Sequence, residues 1–199
     1  MPTRHHINLI TALPAEAKPL IKTFGLKRQQ PVGIIPLYTS PEIHLAVSGP
    51  GVTAMLMGVN YLQDMTPDDR EATWLNIGIC GHGSLHLGEA LLVERVIEPN
   101  GQNWQLELPP NLPLPHSPLT CVTQPQTTYK PDMAYDMESA GFMMAVTRFA
   151  TLNSISLFKI VSDNPKNGIE SINAKRVCAM IAHHVDHISD LIYQLPFHE

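Results

Sequence analysis

The chain has 199 residues, a formal net charge of −5, 44% hydrophobic and 16% charged residues. That length suits one domain with a well-buried core, and that balance excludes a disordered chain, which carries fewer apolar and more charged side chains. No long run of Lys or Arg offers an electrostatic footprint, so no nucleic-acid partner is expected.

Cys80, Cys121 and Cys178 are an odd, widely spaced set that makes neither a disulfide framework nor a Cys-x-x-Cys knuckle. The N-terminus lacks a charged segment followed by an apolar one and a cleavage site. No apolar run reaches the roughly 18 residues of a membrane span. A cytoplasmic protein with no membrane partner is expected. Among ten histidines, only His5-His6 and His183-His184-His187 cluster. His183 and His187 stand four apart on a predicted helix, a spacing that can bind metal, but no Glu follows the first His to act as a base. They read as solvated, and neither a metal nor another cofactor is expected.

In chain order, His6 to Leu13 reads as a buried first strand. Pro14 then suits a first helical position, and a short helix follows over Ala15 to Phe24. Leu37 to Thr39 and Ile43 to Val47 read as strands about a turn at Ser40-Pro41-Glu42. Ser48-Gly-Pro-Gly51 is a tight turn into a helix over Val52 to Leu62, a join that can present backbone N–H groups to an anion or hydroxyl.

Thr73 to Cys80 reads as a further buried strand ending in Gly81-His82-Gly83, with His82 taken as a loop histidine. Ala90 to Ile97 reads as another strand. Six prolines from Pro99 to Pro118 inclusive exclude a regular helix and favour an ordered loop or edge segment. Leu119 to Thr123 is a short strand, and Ala134 to Met137 runs into a helix over Glu138 to Ala150, apolar nearly all round and therefore buried. Ser154 to Val161 is the last strong strand. Ala174, Val177, Cys178, Ile181, Val185, Ile188, Ile192 and Leu195 mark one stripe of a long amphipathic C-terminal helix. Strands interspersed with helices, without repeat or linker, predict a single α/β domain with a central mixed, largely buried β-sheet flanked by helices.

Four segments carry a resemblance. Ile10-Thr-Ala-Leu-Pro-Ala-Glu16 looks like an opening strand with an Ala-Met-x-x-Glu turn, and Ser48-Gly-Pro-Gly-Val52 is similar to a Ser-Gly-Ile-Gly-Lys turn. Asn76-Ile-Gly-Ile-Cys-Gly81 is similar to Asn-Thr-Gly-x-Ala-Gly. Asp136-Met-Glu-Ser-Ala140, followed by Ile160-Val-Ser-Asp163, looks like a ribose-binding Met-Glu motif and an Ile-Ser-Asp strand end. Together they resemble the nucleoside phosphorylase / nucleosidase superfamily, closest to the methylthioadenosine / S-adenosylhomocysteine nucleosidases. The chain departs from that pattern in an abbreviated segment between Thr123 and Asp132, and in Ile79, where relatives often carry a Ser that holds phosphate or water.

The resemblance implies cleavage of the N-glycosidic bond of a nucleoside, expected to be a purine one, to free base and a ribosyl product. Such a reaction needs a proton on the leaving base and a site that tolerates oxocarbenium-like charge. Asp163 is implied as the acid and Glu16 as the base that activates water. Met137, Glu138, Gly78, Ser162 and Thr123 are implied as substrate-binding, with Gln124 and Tyr129 also framing the base. Plainer roles compete: Asp163 as a cap for Asn164-Pro165, Glu138 and Glu16 as helix N-terminal acids favoured by the dipole, Met137 as core filler. A phosphorylase holding phosphate on Gly49 and Gly51, or a non-catalytic nucleoside-binding descendant, are the alternatives. A homodimer is implied, with the Pro99–Pro118 segment and Met55, Leu56 and Met57 as contact elements.

Overall fold

The computed structural model describes residues 6–30, 33–66 and 72–195. In chain order they form β1 (His6–Thr11), α1 (Pro14–Thr23), β2 (Lys27–Arg28), β3 (Leu37–Thr39), β4 (Ile43–Val47), α2 (Val52–Asp64), β5 (Ala72–His82) and β6 (Ala90–Ile97). There follow β7 (Asn103–Gln105), β8 (His116–Cys121), β9 (Ala134–Asp136), α3 (Ser139–Val146), β10 (Ile155–Asp163), α4 (Ala174–His183) and α5 (Val185–Gln194). His5 of the first histidine pair lies outside the described residues.

One mixed sheet holds all ten strands. β4, β1, β5 and β10 run parallel, so their carboxyl ends share one edge. β10 pairs antiparallel with β6, β6 parallel with β8, β8 parallel with β9, and β9 antiparallel with the end of β5. These five strands therefore close into a ring, and β1, β4, β3 and β2 extend from β5 as an open wing. The expectation of a mixed sheet is met, and closure goes beyond it.

Period-two alternation drives burial on both faces. Leu9 joins a core with Leu20, Ile181 and Ile188 from α1, α4 and α5, while its neighbour Ile10 joins a second core with Met55, Val59 and Phe142 from α2 and α3. Met55 is thus core rather than a contact residue, and Met57, 51% exposed, carries the outward face of α2.

Two expectations change, and the proline-rich edge segment takes definite form. The helix expected over Glu138 to Ala150 is only Ser139–Val146, because the Thr147 hydroxyl donates back to the Met143 carbonyl (2.7 Å) and the chain leaves in tight turns. The proline-rich segment contributes β7, paired with β6, and the start of β8. The C-terminal stripe is two helices broken at His184, which ends α4 and caps α5. That histidine is buried rather than solvated: Nε2 lies 2.7 Å from the Gly88 carbonyl and Nδ1 3.2 Å from His187 Nδ1. The carbonyl only accepts, so Nε2 carries the proton and donates it. The break between the two helices is thus tied to the turn that precedes β6.

Burial holds the His184 imidazole below its ordinary value. The unfolded chain then takes up this proton before the folded one, so stability falls as pH drops below about 6.5. His184→Gln should flatten that acid-side loss in urea unfolding followed against pH.

Candidate active site

The carboxyl ends of β1, β5 and β10 meet at a cavity of about 230 Å³. This is where open α/β sheets place ligands. β5 explains why the gap is there. On one edge β5 pairs with β1 up to Asn76 and with β9 only from Gly81, so the residues between have no strand beside them. Glu16, in the first turn of α1, fills that position: its Oε1 accepts the Ile79 N–H (3.0 Å) and its Oε2 those of Ala12 (3.0 Å) and Leu13 (2.8 Å).

Glu16 is 2% exposed, not a surface helix residue. Burial pushes its carboxyl up to about 7, against the pull of the Leu13 N–H and Lys159. Gly78 does not line the cavity, contrary to its expected binding role. It makes room instead, since a Cβ there would lie 3.0 Å from Glu16 Oε1 and 3.6 Å from Lys159 Nζ.

Lys159 sits at mid-β10, in the apolar run Leu157-Phe-Lys-Ile-Val161, and is 2% exposed. Its ammonium pairs with Asp136 Oδ2 (2.8 Å) and donates to Asn76 Oδ1 (2.6 Å). Burial pulls the ammonium down, but Asp136, with Glu138 and Glu16 beyond it, more than offsets this and holds it above the usual lysine value. Asp136 Oδ1 accepts the backbone N–H of Glu138 and of Ser139 and the Ser139 hydroxyl, fixing the start of α3.

Glu138, at the N-cap of α3, turns its carboxylate across to the turn between β4 and α2: Oε1 accepts the Gly51 N–H (2.7 Å) and Oε2 that of Met137 (3.2 Å). Burial and the nearby Asp136 raise its pKa.

Asp163 ends β10. Between Val161 and Asp163 the register with β5 shifts by one residue. This bulge lets Ser162 and Asp163 both face the cavity, which plain alternation forbids. The Ser162 hydroxyl donates to Asp163 Oδ1 (2.6 Å), and the Tyr129 hydroxyl meets Oδ2. Capping of the next turn falls to Asn164, whose Oδ1 accepts the Lys166 N–H (3.1 Å).

Glu16, Met137, Glu138, Ser162 and Asp163 thus line one cavity. Thr123 does not: it is exposed and borders an adjoining depression with Pro50, Val52 and Ala54. Gln124 is exposed too, and Pro125 and Gln126 line the main cavity in its place. His82 is no loop histidine. It ends β5, buried, with Nδ1 accepting the N–H groups of Ser84 and Leu85 (both 3.0 Å) and Nε2 3.1 Å from Ser117 Oγ. Lys159 is the residue the sequence reading missed, and its signal was a lone charge inside a buried strand. Among the described residues, no group of three or more His, Cys, Asp or Glu could hold a metal, and no helix is long and apolar enough to cross a membrane.

No family model matches the chain, and no curated protein matches it in sequence. Solved structures do match. The apo 5′-methylthioadenosine nucleosidase of Arabidopsis thaliana superposes with a TM-score of 0.78 at 18% identity, covering 100% of this chain and 98% of that one. A Helicobacter pylori MTAN mutant with 5′-methylthioadenosine in its active site gives 0.77 at 13%, covering 98% and 100%. The 5′-methylthioadenosine/S-adenosylhomocysteine nucleosidase of S. pneumoniae, with a transition-state inhibitor, gives 0.72 at 16%, covering 92% and 96%. These likenesses define the class of fold as nucleoside phosphorylase-like. Within that class, the fold is similar to that of solved 5′-methylthioadenosine/S-adenosylhomocysteine nucleosidases.

Removing one partner of a buried ion pair strands the other. Lys159→Met should cost about 3–5 kcal/mol by leaving the Asp136 carboxylate unpaired. Lys159→Met combined with Asp136→Asn should regain most of that loss, a non-additivity that urea unfolding of the two single variants and the double one would measure.

Proposed function

We propose that this chain is a nucleosidase that hydrolyses the N-glycosidic bond of a purine nucleoside. The observation that carries this reading is the convergence of Glu16, Glu138 and Asp163 on one cavity, with Glu16 held to about 7. A base that titrates near neutrality is suited to taking a proton from water.

In the proposed reaction, the water oxygen attacks the anomeric carbon while Glu16 takes one of its protons. The bond from that carbon to the base nitrogen breaks, its electron pair goes to the base, and Asp163 gives the base a proton. Base and ribose leave; Glu16 is then protonated and Asp163 ionised, and solvent returns the proton. Glu138, whose oxygens keep lone pairs beyond the Gly51 and Met137 N–H bonds, accepts ribose hydroxyls and sets negative charge beside the developing cation. Met137 packs on the sugar.

Phosphate is a poor nucleophile for such a site. Carboxylates wall the cavity, no Arg or Lys among the described residues lines it, and the nearby Lys159 ammonium is engaged by Asp136. The Gly51 N–H, which would cradle an anion, is already bonded to Glu138. Both features favour hydrolysis over phosphorolysis.

The H. pylori enzyme holds 5′-methylthioadenosine, and we assign this chain a purine nucleoside of that kind. The adjoining apolar depression of about 280 Å³ beside Pro50, Val52 and Met137 suits an apolar 5′ substituent. We further assign one domain over the whole chain, a cytoplasmic setting, which the free thiols Cys80, Cys121 and Cys178 suit, and a homodimer joined through the outward face of α2 at Met57.

The test is release of free base from 5′-methylthioadenosine, followed by chromatography with and without phosphate. Phosphate-independent release is expected, and a requirement for phosphate would make the chain a phosphorylase. Nucleoside binding without release would leave only a binding module. Glu16→Gln and Asp163→Asn should each lower kcat by roughly 10²–10⁴ while KM changes little. Because Glu16 accepts a proton only when ionised, kcat of the wild type should rise with pH through about 7.

A further inference from the structure

We propose that Tyr129 is the positioning residue of the acid: its hydroxyl turns between Gln126 and Asp163 as the acid holds or gives up its proton. The inference rests on the nucleosidase reading and deepens it. It also gives the abbreviated segment before β9 a task other than covering a base.

The ring is fixed on two sides. It packs edge-on against Tyr135 of β9, with centroids 5.7 Å apart, and the Tyr135 hydroxyl accepts the N–H of Lys130, the next residue along. On the other side, phenol and carboxyl meet over the bare Cα of Gly81. A Cβ there would lie 2.6 Å from both Asp163 Oδ2 and Tyr129 Cε1. Tyr129 itself does not line the cavity, whereas Asp163 does. The tyrosine acts through the acid and not on a ligand.

Proton counting then shows what it does. A phenol has one proton, and this one faces two acceptors, the Gln126 carbonyl at 2.7 Å and Asp163 Oδ2. With Asp163 protonated, the phenol proton is free to rest on Gln126. Once the base has taken the proton from Asp163, the new carboxylate charge draws the phenol proton to Oδ2. Ser162 is built the same way, between the Cys80 carbonyl (3.2 Å) and Asp163 Oδ1 (2.6 Å). Each carboxyl oxygen thus has a hydroxyl that can turn toward it with no heavy atom moving.

Hydrogen bonds to an ionised acceptor are about twice as strong as neutral ones. The pair therefore stabilises the transition state, where charge grows on Asp163, more than the bound substrate. Burial and the Asp163 carboxylate hold the Tyr129 phenol above the usual tyrosine value, so it keeps its proton throughout.

The test is Tyr129→Phe, which keeps the ring and its packing on Tyr135. Two substrates are compared: 5′-methylthioadenosine, whose base must leave with a proton, and para-nitrophenyl riboside, whose phenolate leaves without one. We expect kcat on the nucleoside to fall roughly 10- to 100-fold, the worth of one bond to a charged group, with KM little changed and the aryl riboside unaffected. If the wild type does not turn over the aryl riboside, purine nucleosides graded by the basicity of the departing base replace it, and the loss should grow with that basicity. An unchanged kcat on the nucleoside overturns the inference, and so does a loss of equal size whatever the leaving group. A wild type that releases no base from any of them overturns the nucleosidase reading and the inference with it, a result that the variant alone never produces.

Discussion

The site depends on how one buried ammonium divides itself among several carboxylates. Burial makes every charge in this region costly, and Lys159 can neutralise only one partner at short range. It takes Asp136, at 2.8 Å. Glu138 stays raised by burial and Asp136, and Glu16 is lifted to about 7 although Lys159 pulls it down. Groups of the same chemical kind thus acquire different protonation behaviour from their surroundings. Lys159 needs no contact with a substrate to have this effect.

Each of these side chains also repairs a defect in the backbone. Glu16 bonds the β5 amide left open where β1 ends before β9 begins. Glu138 bonds Gly51 at the start of α2, and Asp136 bonds the first amides of α3. Such groups read equally well as caps or as catalytic residues. Here the two descriptions coincide, because a carboxylate that satisfies buried N–H groups is held in one geometry while its remaining lone pairs face the cavity.

Much of this was legible in the sequence, and what was missed has physical causes. β3 and β4 follow directly from two short, largely apolar runs on either side of Ser40-Pro41-Glu42, and the Met-Glu and Ser-Asp strand ends marked the cavity. Ring closure was not legible, since the β5–β9 pairing spans only Gly81 and His82 and leaves no periodic trace. The break at His184 was hidden because the apolar stripe continues through it, and its imidazole meets a carbonyl 96 residues away in sequence. Thr123 and Gly78 were misplaced for a related reason. Motif spacing puts a residue at a strand end without saying whether its side chain faces the cavity or, for glycine, what its bare Cα leaves room for. Lys159 could have been suspected, because a lone charge within Leu157 to Val161 requires a buried partner.

Closure of five strands has a further consequence. The ring of β5, β10, β6, β8 and β9 carries Asp163 and Asp136, whereas Glu16 follows β1 and Gly51 follows β4, both in the wing, whose outermost strand β2 is two residues long. A ring has no end from which to unzip, but a wing does. Two carboxylate bonds, Glu16 to Ile79 and Glu138 to Gly51, join the parts across the mouth of the cavity. The groups assigned to activating water and holding the sugar therefore also bond the ring to the wing, beside the β1–β5 pairing that joins them along the sheet. Trading either acid for an apolar residue would therefore remove a bond between ring and wing as well as a reactive group.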